Sequence, residues 1–185
     1  MNKRIFDLFL SILLLIVVSP ILIILFLIIY VDSPGSVLFK QIRIGKNGSK
    51  FILYKLRSME VNSEKNGQFF TEYNDKRITK FGKFIRKTSL DELPQLLNVI
   101  FGDMSIVGPR PDVPEQQKLY TKEEWILRNS IRPGITGLAQ STTRSSSTFK
   151  NRLKLDLFYI KKNNILFDMK IIYLTIKQIF SKGSF

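Results

Sequence analysis

Leu13–Phe26 reads LLLIVVSPILIILF, and it lies inside 24 uncharged residues, Leu8 to Val31, bounded by Asp7 and Asp32. At about 1.5 Å per residue such a run makes a helix of roughly 36 Å, enough for a hydrocarbon core of ~30 Å. A cleavable signal peptide fits poorly, because the apolar run is too long and no A-x-A site follows it. A buried helix of a soluble core would not be so uniformly apolar at this length. The segment therefore belongs in a membrane. Ser19 and Pro20 near its middle decide how it sits there. Pro20 removes one helical N–H, and the Ser19 hydroxyl can serve a freed carbonyl. Lys3 and Arg4 precede the segment, while Lys40, Arg43 and Lys46 follow it. With both flanks basic, the positive-inside rule puts neither on the far side. Residues 1–31 are thus predicted to form a re-entrant membrane helix broken at Ser19-Pro20, with both ends cytoplasmic. Residues 32–185 form the cytoplasmic domain.

That remainder is mixed, charged and long enough to bury its own core. Across the 185 residues, 29 Lys and Arg face 15 acids, for a formal charge of +14. Such a balance calls for an anionic partner, and beside a membrane segment lipid and phosphate rank ahead of nucleic acid. The chain has no Cys and no His. Disulfides, thiolate catalysis, histidine bases and the usual zinc ligands are excluded with them. Catalysis must rest on carboxylates, Lys, Arg, Tyr or hydroxyls, and any metal would be a hard ion such as Mg²⁺ held by oxygens.

Downstream, the fold reads as α+β and mainly helical. Ser33-Pro34-Gly35-Ser36 and Lys46-Asn47-Gly48-Ser49 mark turns, and Asn47-Gly48 between apolar runs predicts a small β-hairpin. Val61–Asp75 is polar and reads as an exposed loop or short helix. Arg77–Arg86 carries Ile78, Phe81, Phe84 and Ile85 among basic residues, the pattern of an amphipathic interfacial helix or of a helix on an ordinary core. Leu93, Leu96, Leu97 and Ile100 have helical spacing and predict an inward face on a helix that stops near Gly102. Gly108-Pro109-Arg110-Pro111 forms a stiff extended segment carrying one guanidinium. Ile131–Gln140 (IRPGITGLAQ) reads as a shaped loop. Arg152–Phe180 is helical, with Ile165, Met169, Ile172, Ile176 and Ile179 in one stripe that suits either a core or a membrane surface.

Two adjacent acids, Asp91 and Glu92, open the Leu93–Ile100 helix. Capping and the helix dipole alone would place acids there. The chemical reading rests on the surroundings, because Lys55, Arg57, Arg86, Lys87 and Arg110 form a set suited to a diphosphate. A helix N-terminus would also keep a carboxylate ionised, as a nucleophile or a Mg²⁺ ligand requires.

The segments DSPGSVLFKQIRIGKNGSKF, YKLRSM, RITKFGKFIRKTSLDELPQLLNVIFGDMSIVGPRPD, RPGITGLAQ and KLDLFYI together resemble the bacterial sugar transferases called monotopic phosphoglycosyl transferases, essentially from end to end. The resemblance implies transfer of a sugar 1-phosphate from a UDP-sugar to undecaprenyl phosphate at the cytoplasmic face of the bacterial inner membrane. Asp91 aligns with the family's nucleophile and would also hold Mg²⁺, and Glu92 matches the second acid of the dyad. Lys55, Arg57, Arg86 and Arg110 match phosphate-holding positions, and Pro109 and Pro111 shape the loop presenting Arg110. Arg144, Arg152 and Asp156 match positions in the C-terminal part, with Arg144 assigned to substrate. Relatives commonly carry an Asn-Gly-Arg-Asn run and then Trp-Glu, where this chain has Thr142-Thr143-Arg144-Ser145 and Phe149-Lys150, which leaves the sugar open. The implied partners are the UDP-sugar, undecaprenyl phosphate and membrane lipid, not nucleic acid, with a homodimer as an open option. The competing class is a non-catalytic, basic, membrane-anchored module that binds anionic lipid.

Overall fold

The computed structural model describes residues 2–61, 63, 75–142 and 148–182. It begins with one helix, α1 (Lys3–Asp32), the only helix among the described residues long and apolar enough to cross a membrane. The helical run continues through Ser19 and Pro20 rather than breaking there. A proline at position 20 leaves the carbonyl of residue 16 without its helical donor. The Ser19 hydroxyl donates to that Ile16 carbonyl at 2.8 Å, so the serine replaces the bond the proline removes. Ile16, Val17, Ile23 and Leu27 are exposed, a surface suited to lipid rather than water.

A hairpin follows, β1 (Leu38–Ile44) antiparallel to β2 (Lys50–Leu56). Its connection turns on Asn47 and Gly48, both with positive φ, as the Asn-Gly pair predicts. Helix α2 (Lys80–Lys87) is capped by the Thr79 hydroxyl, which accepts from Gly82 N–H at 2.8 Å. Gly82 lies so close to Ser58 that a Cβ would come within 2.0 Å of its carbonyl oxygen. A 3₁₀ turn, Leu90–Glu92, then leads through Pro94 into α3 (Gln95–Phe101), which stops at Gly102 in the left-handed region.

Strand β3 (Ser105–Val107) runs parallel to β4 (Gly134–Thr136), with α4 (Lys122–Arg128) between them. IRPGITGLAQ is therefore not only a loop: it holds β4 and the start of α5 (Leu138–Thr142). The backbone of Gly134, which a Cβ would push into Gly108, gives the parallel pair its close approach. The C-terminal helical stretch divides at Asn163-Asn164 into α6 (Phe149–Lys162) and α7 (Ile165–Lys182). Most of the polar Val61–Asp75 stretch lies outside the described residues.

Two apolar clusters hold these elements together. In the first, Phe51 and Leu53 of β2 meet Leu96 and Val99 of α3, Met104, Ile106, Val107, Tyr159 and Ile171, with Leu10, Leu15 and Val18 of α1 against them. In the second, Leu25 and Ile29 of α1 meet Leu56 and Ile85. The Lys80–Lys87 helix thus uses Ile85 as core, while Phe84 stays exposed.

The inward face of α3 differs from the one its leucines predict. Gln95, Leu96, Asn98 and Val99 are buried, and Leu93, Leu97 and Ile100 are only partly so. Asn98 makes this face tolerable, because its side chain accepts from Tyr54 N–H at 3.1 Å and donates to Ile52 carbonyl at 2.7 Å. On α7 the predicted stripe is divided: Ile172 packs against the first cluster, whereas Met169 and Ile176 are about half exposed, and the fully buried residues are Asp168 and Ile171.

Asn98→Ala strands a β2 amide and a β2 carbonyl inside the protein. It is expected to lower stability by about 2–3 kcal/mol, read as a fall in Tm of the detergent-solubilised chain. The exposed Lys161→Ala is expected to stay within about 0.5 kcal/mol of the parent.

Candidate active site

Asp91 and Glu92 sit on the 3₁₀ turn before α3, not on the first turn of the helix itself. Pro94 explains the offset, since it occupies the cap position and delays the helix to Gln95. Ser89 enters the turn with φ of 59°, a left-handed conformation that swings the two acids back toward β2. The Lys55 ammonium there lies 2.6 Å from Glu92 Oε1 and 3.9 Å from Asp91 Oδ2. From the opposite side, Arg110 Nη2 donates to the same Glu92 Oε1 at 3.0 Å.

The two carboxylates are consequently in different states. Burial alone would push Glu92 up, but Lys55 and Arg110 outweigh it and hold this carboxyl well below the usual range. Asp91 is raised, first by burial and further by the neighbouring Glu92 charge, against the opposing pull of Lys55, Arg86 and Arg110. These cations, and not a helix terminus, are what oppose that rise, which corrects the dipole argument. Among the described residues Asp91 also makes no side-chain hydrogen bond, only the long ion pair with Lys55. Glu92 is fastened by two short contacts, and Asp91 has one long one.

Arg86, on α2, has its guanidinium 3.5 Å from the Ser58 hydroxyl. Burial lowers its pKa while Asp91 raises it, so Arg86 and Asp91 share one field. Arg57 is placed elsewhere. Its Nη2 donates to the Ser33 carbonyl and lies 3.5 Å from the Ile29 carbonyl, closing the C-terminal end of α1. Of the residues expected to hold phosphate, Lys55, Arg86 and Arg110 gather around the dyad, and Arg57 caps the membrane helix instead. Arg144 lies outside the described residues. Pro109 and Pro111 flank Arg110 in a segment whose backbone is held on both sides: Gly134 N–H donates to Pro109 at 2.9 Å, and Arg43 Nη1 to Pro111 at 2.9 Å. Arg43, Leu53, Lys55, Gln95, Arg110 and Pro111 line a small cleft beside the acids.

A family model described as bacterial sugar transferase matches residues 1–182. The chain belongs to that family. It is 42% identical to the UDP-glucose:undecaprenyl-phosphate glucose-1-phosphate transferase of Klebsiella pneumoniae over 181 residues, 94% of this chain and 39% of that protein. It is 37% identical to the UDP-N-acetylgalactosamine-undecaprenyl-phosphate N-acetylgalactosaminephosphotransferase of Aeromonas hydrophila over 182 residues, 96% of this chain and 43% of the relative. The chain thus spans about two-fifths of the length of these two relatives. Against the exopolysaccharide production protein PSS of Rhizobium leguminosarum bv. phaseoli, 42% identity extends over 192 residues, 98% of this chain and 96% of the relative.

A buried arginine that the motifs did not single out stands behind the site. Arg128 on α4 binds Asp156 Oδ2 through Nε at 3.0 Å, Asp112 Oδ2 through Nη1, and the Arg110 carbonyl through Nη2 at 2.8 Å. The Tyr120 hydroxyl donates to Asp112 Oδ2 at 2.9 Å, and its ring lies 5.5 Å from the guanidinium. Asp156, which the resemblance placed only loosely, belongs to this cluster. The available signal was a single arginine directly after the apolar run Trp125-Ile126-Leu127, a weak one without the fold. Arg128→Met would leave Asp112 and Asp156 buried without their cation. A loss of about 3–5 kcal/mol is expected, measured by thermal or denaturant unfolding in detergent.

Proposed function

We propose that this chain transfers a sugar 1-phosphate from a UDP-sugar to a polyprenol phosphate such as undecaprenyl phosphate, through a covalent intermediate on Asp91. The observation that carries this reading is the asymmetry of the dyad. One part-buried carboxylate is clamped by Lys55 and Arg110, and its buried neighbour has no side-chain hydrogen bond among the described residues. An unencumbered carboxylate ringed by Lys55, Arg86 and Arg110 is suited to attack a diphosphate, whose charges those cations balance. The sugars in the relatives' names differ between glucose and N-acetylgalactosamine, so the UDP-sugar class is inferred and its particular sugar is not.

In the first step an Asp91 oxygen forms a bond to the β-phosphorus. The bond from that phosphorus to the bridging oxygen breaks, and UMP leaves with the electron pair. In the second step an oxygen of the lipid phosphate attacks the same phosphorus, the Asp91–phosphorus bond breaks, and the carboxylate is restored. The product is polyprenol-diphosphate-sugar. Glu92 holds Lys55 and Arg110 in place beside the reacting phosphates. Mg²⁺ fits the donors here: no cluster of three acids exists among the described residues, but this ion commonly takes one or two carboxylates together with substrate phosphates. Asp91 would hold it, and when bound it would neutralise diphosphate charge.

The same reading sets the chain on the cytoplasmic face of the inner membrane with α1 re-entrant. The support is that both ends of α1 dock on one globular body. Asp7 accepts from Ser105 Oγ at 2.8 Å and Ile106 N–H at 3.2 Å, while Ser33 at the other end is held by Arg57. A helix upright across the bilayer would separate these ends by its hydrocarbon core, ~30 Å.

The purified chain, given radiolabelled UDP-sugars and undecaprenyl phosphate, is expected to move label into the lipid fraction and release UMP. Asp91→Asn is expected to reduce this by about 10³-fold or more. Transfer that survives the substitution unchanged contradicts the assignment.

A further inference from the structure

The segment carrying Arg110 is fixed to an unusual degree for a loop. Four consecutive carbonyls each meet a different donor: Pro109 meets Gly134 N–H, Arg110 meets Arg128 Nη2, Pro111 meets Arg43 Nη1 and Asp112 meets Ile44 N–H. Gly108 N–H adds a bond to the Thr136 carbonyl at 2.9 Å. Two of these donors are guanidinium groups that bind the backbone of the loop and neither acid of the dyad. Arg128 is itself oriented by two buried carboxylates, Asp112 and Asp156. Arg43 is steadied by Gln41, whose Oε1 accepts from Nε at 3.0 Å and from Nη2 at 2.6 Å. The side chain they present, Arg110, is half exposed and reaches Glu92.

We propose that Arg43 and Arg128 are positioning residues of the transfer, two clasps that fix the Pro109–Asp112 backbone so that Arg110 meets the phosphates at a set distance from Asp91. The assignment rests on the phosphoglycosyl transfer proposed above. Physically the arrangement answers a difficulty of the loop. Its two prolines lack N–H groups, so Pro109 and Pro111 cannot donate into a sheet, and the segment is secured mainly through its carbonyls. Guanidinium groups suit that task, because one planar fork can bind a carbonyl and a carboxylate at once. A lysine at either place keeps the charge and loses the fork. The rate of a reaction that depends on placement is sensitive to such a loss, with ~10²-fold changes attached to a displacement of about 1 Å.

The test is a double-mutant cycle on steady-state transfer, with UMP release as readout and thermal unfolding of each detergent-solubilised variant alongside. Arg128→Lys and Arg43→Met are each made in the parent and in an Arg110→Ala background. In the parent, each is expected to lower kcat/KM by about 10-fold or more. In the Arg110→Ala background the same change is expected to cost less than about 2-fold, because the side chain being positioned is already gone. A general loss of folded protein would lower activity by the same factor in both backgrounds. Equal factors, or no loss in the parent, overturn the proposal. Should Arg128→Lys fail to fold, Arg43→Met carries the test, since it leaves the Arg128–Asp112–Asp156 cluster intact. A parent chain without transfer from any UDP-sugar would instead contradict the function proposed above and is read separately.

Discussion

Both ends of α1 are fastened to the same body, and the placement of everything else depends on that constraint. At the N-terminal end, Asp7 is buried under β3, and Lys3 pairs with Asp168 of α7. Arg4 donates to the last carbonyls of α3, at Val99 and Ile100. At the other end Arg57 holds Ser33, and Leu25 and Ile29 pack on Leu56 and Ile85. The helix that carries the apolar surface is thus joined directly to α3, and the dyad turn immediately precedes α3. Seating α1 in lipid fixes the height of the acids relative to the bilayer. A polyprenol phosphate has its reactive group at that same boundary, so the proposed acceptor need not leave the membrane to be reached.

Within the site, opposite charge is used in two ways. Lys55 and Arg110 converge on one oxygen of Glu92, which keeps that carboxyl ionised and keeps both cations directed at the cleft. Asp91 shares their field from a longer distance and stays free of hydrogen bonds among the described residues. Identical side chains in adjacent positions would be redundant, whereas here burial and contacts drive the two apart. Arg43, in the lining of the cleft, and Arg128, behind it, hold the backbone of the Arg110 loop. Burial, and then the neighbouring Arg110, bring Arg43 down to about 10, a sign of how tightly these guanidiniums are packed.

Local chemistry explains which features were legible before the fold. Asn47-Gly48 can adopt positive φ cheaply, so the hairpin followed from two residues. Gly102 ended α3 for the same reason. The dyad and the cations around it stood out because the chain has no His or Cys to compete for the chemistry. Side-chain contacts over long separations were another matter. Arg57 lies in a motif with Lys55, and only the docking of α1 turns it to Ser33. Asn98 replaces a leucine-lined face with a polar one because β2 presents two backbone groups there, which α3 alone cannot reveal. Gly134–Thr136 is a strand only by virtue of its partner β3, and a three-residue parallel pair leaves almost no trace in local composition. Pro20 was expected to break α1, and the Ser19 hydroxyl supplies the bond that lets the helix continue.

The topology of α1 is the claim on which the location of the site depends, and a chain without cysteine is well suited to test it. Single cysteines at Asn2, ahead of α1, and at Lys50, in the hairpin, can be probed in intact cells with a membrane-impermeant maleimide. The account predicts that neither Asn2→Cys nor Lys50→Cys is labelled from outside and that both are labelled once the inner membrane is opened. Labelling of Asn2→Cys in intact cells, with Lys50→Cys protected, would mean that α1 crosses the bilayer, and would contradict it.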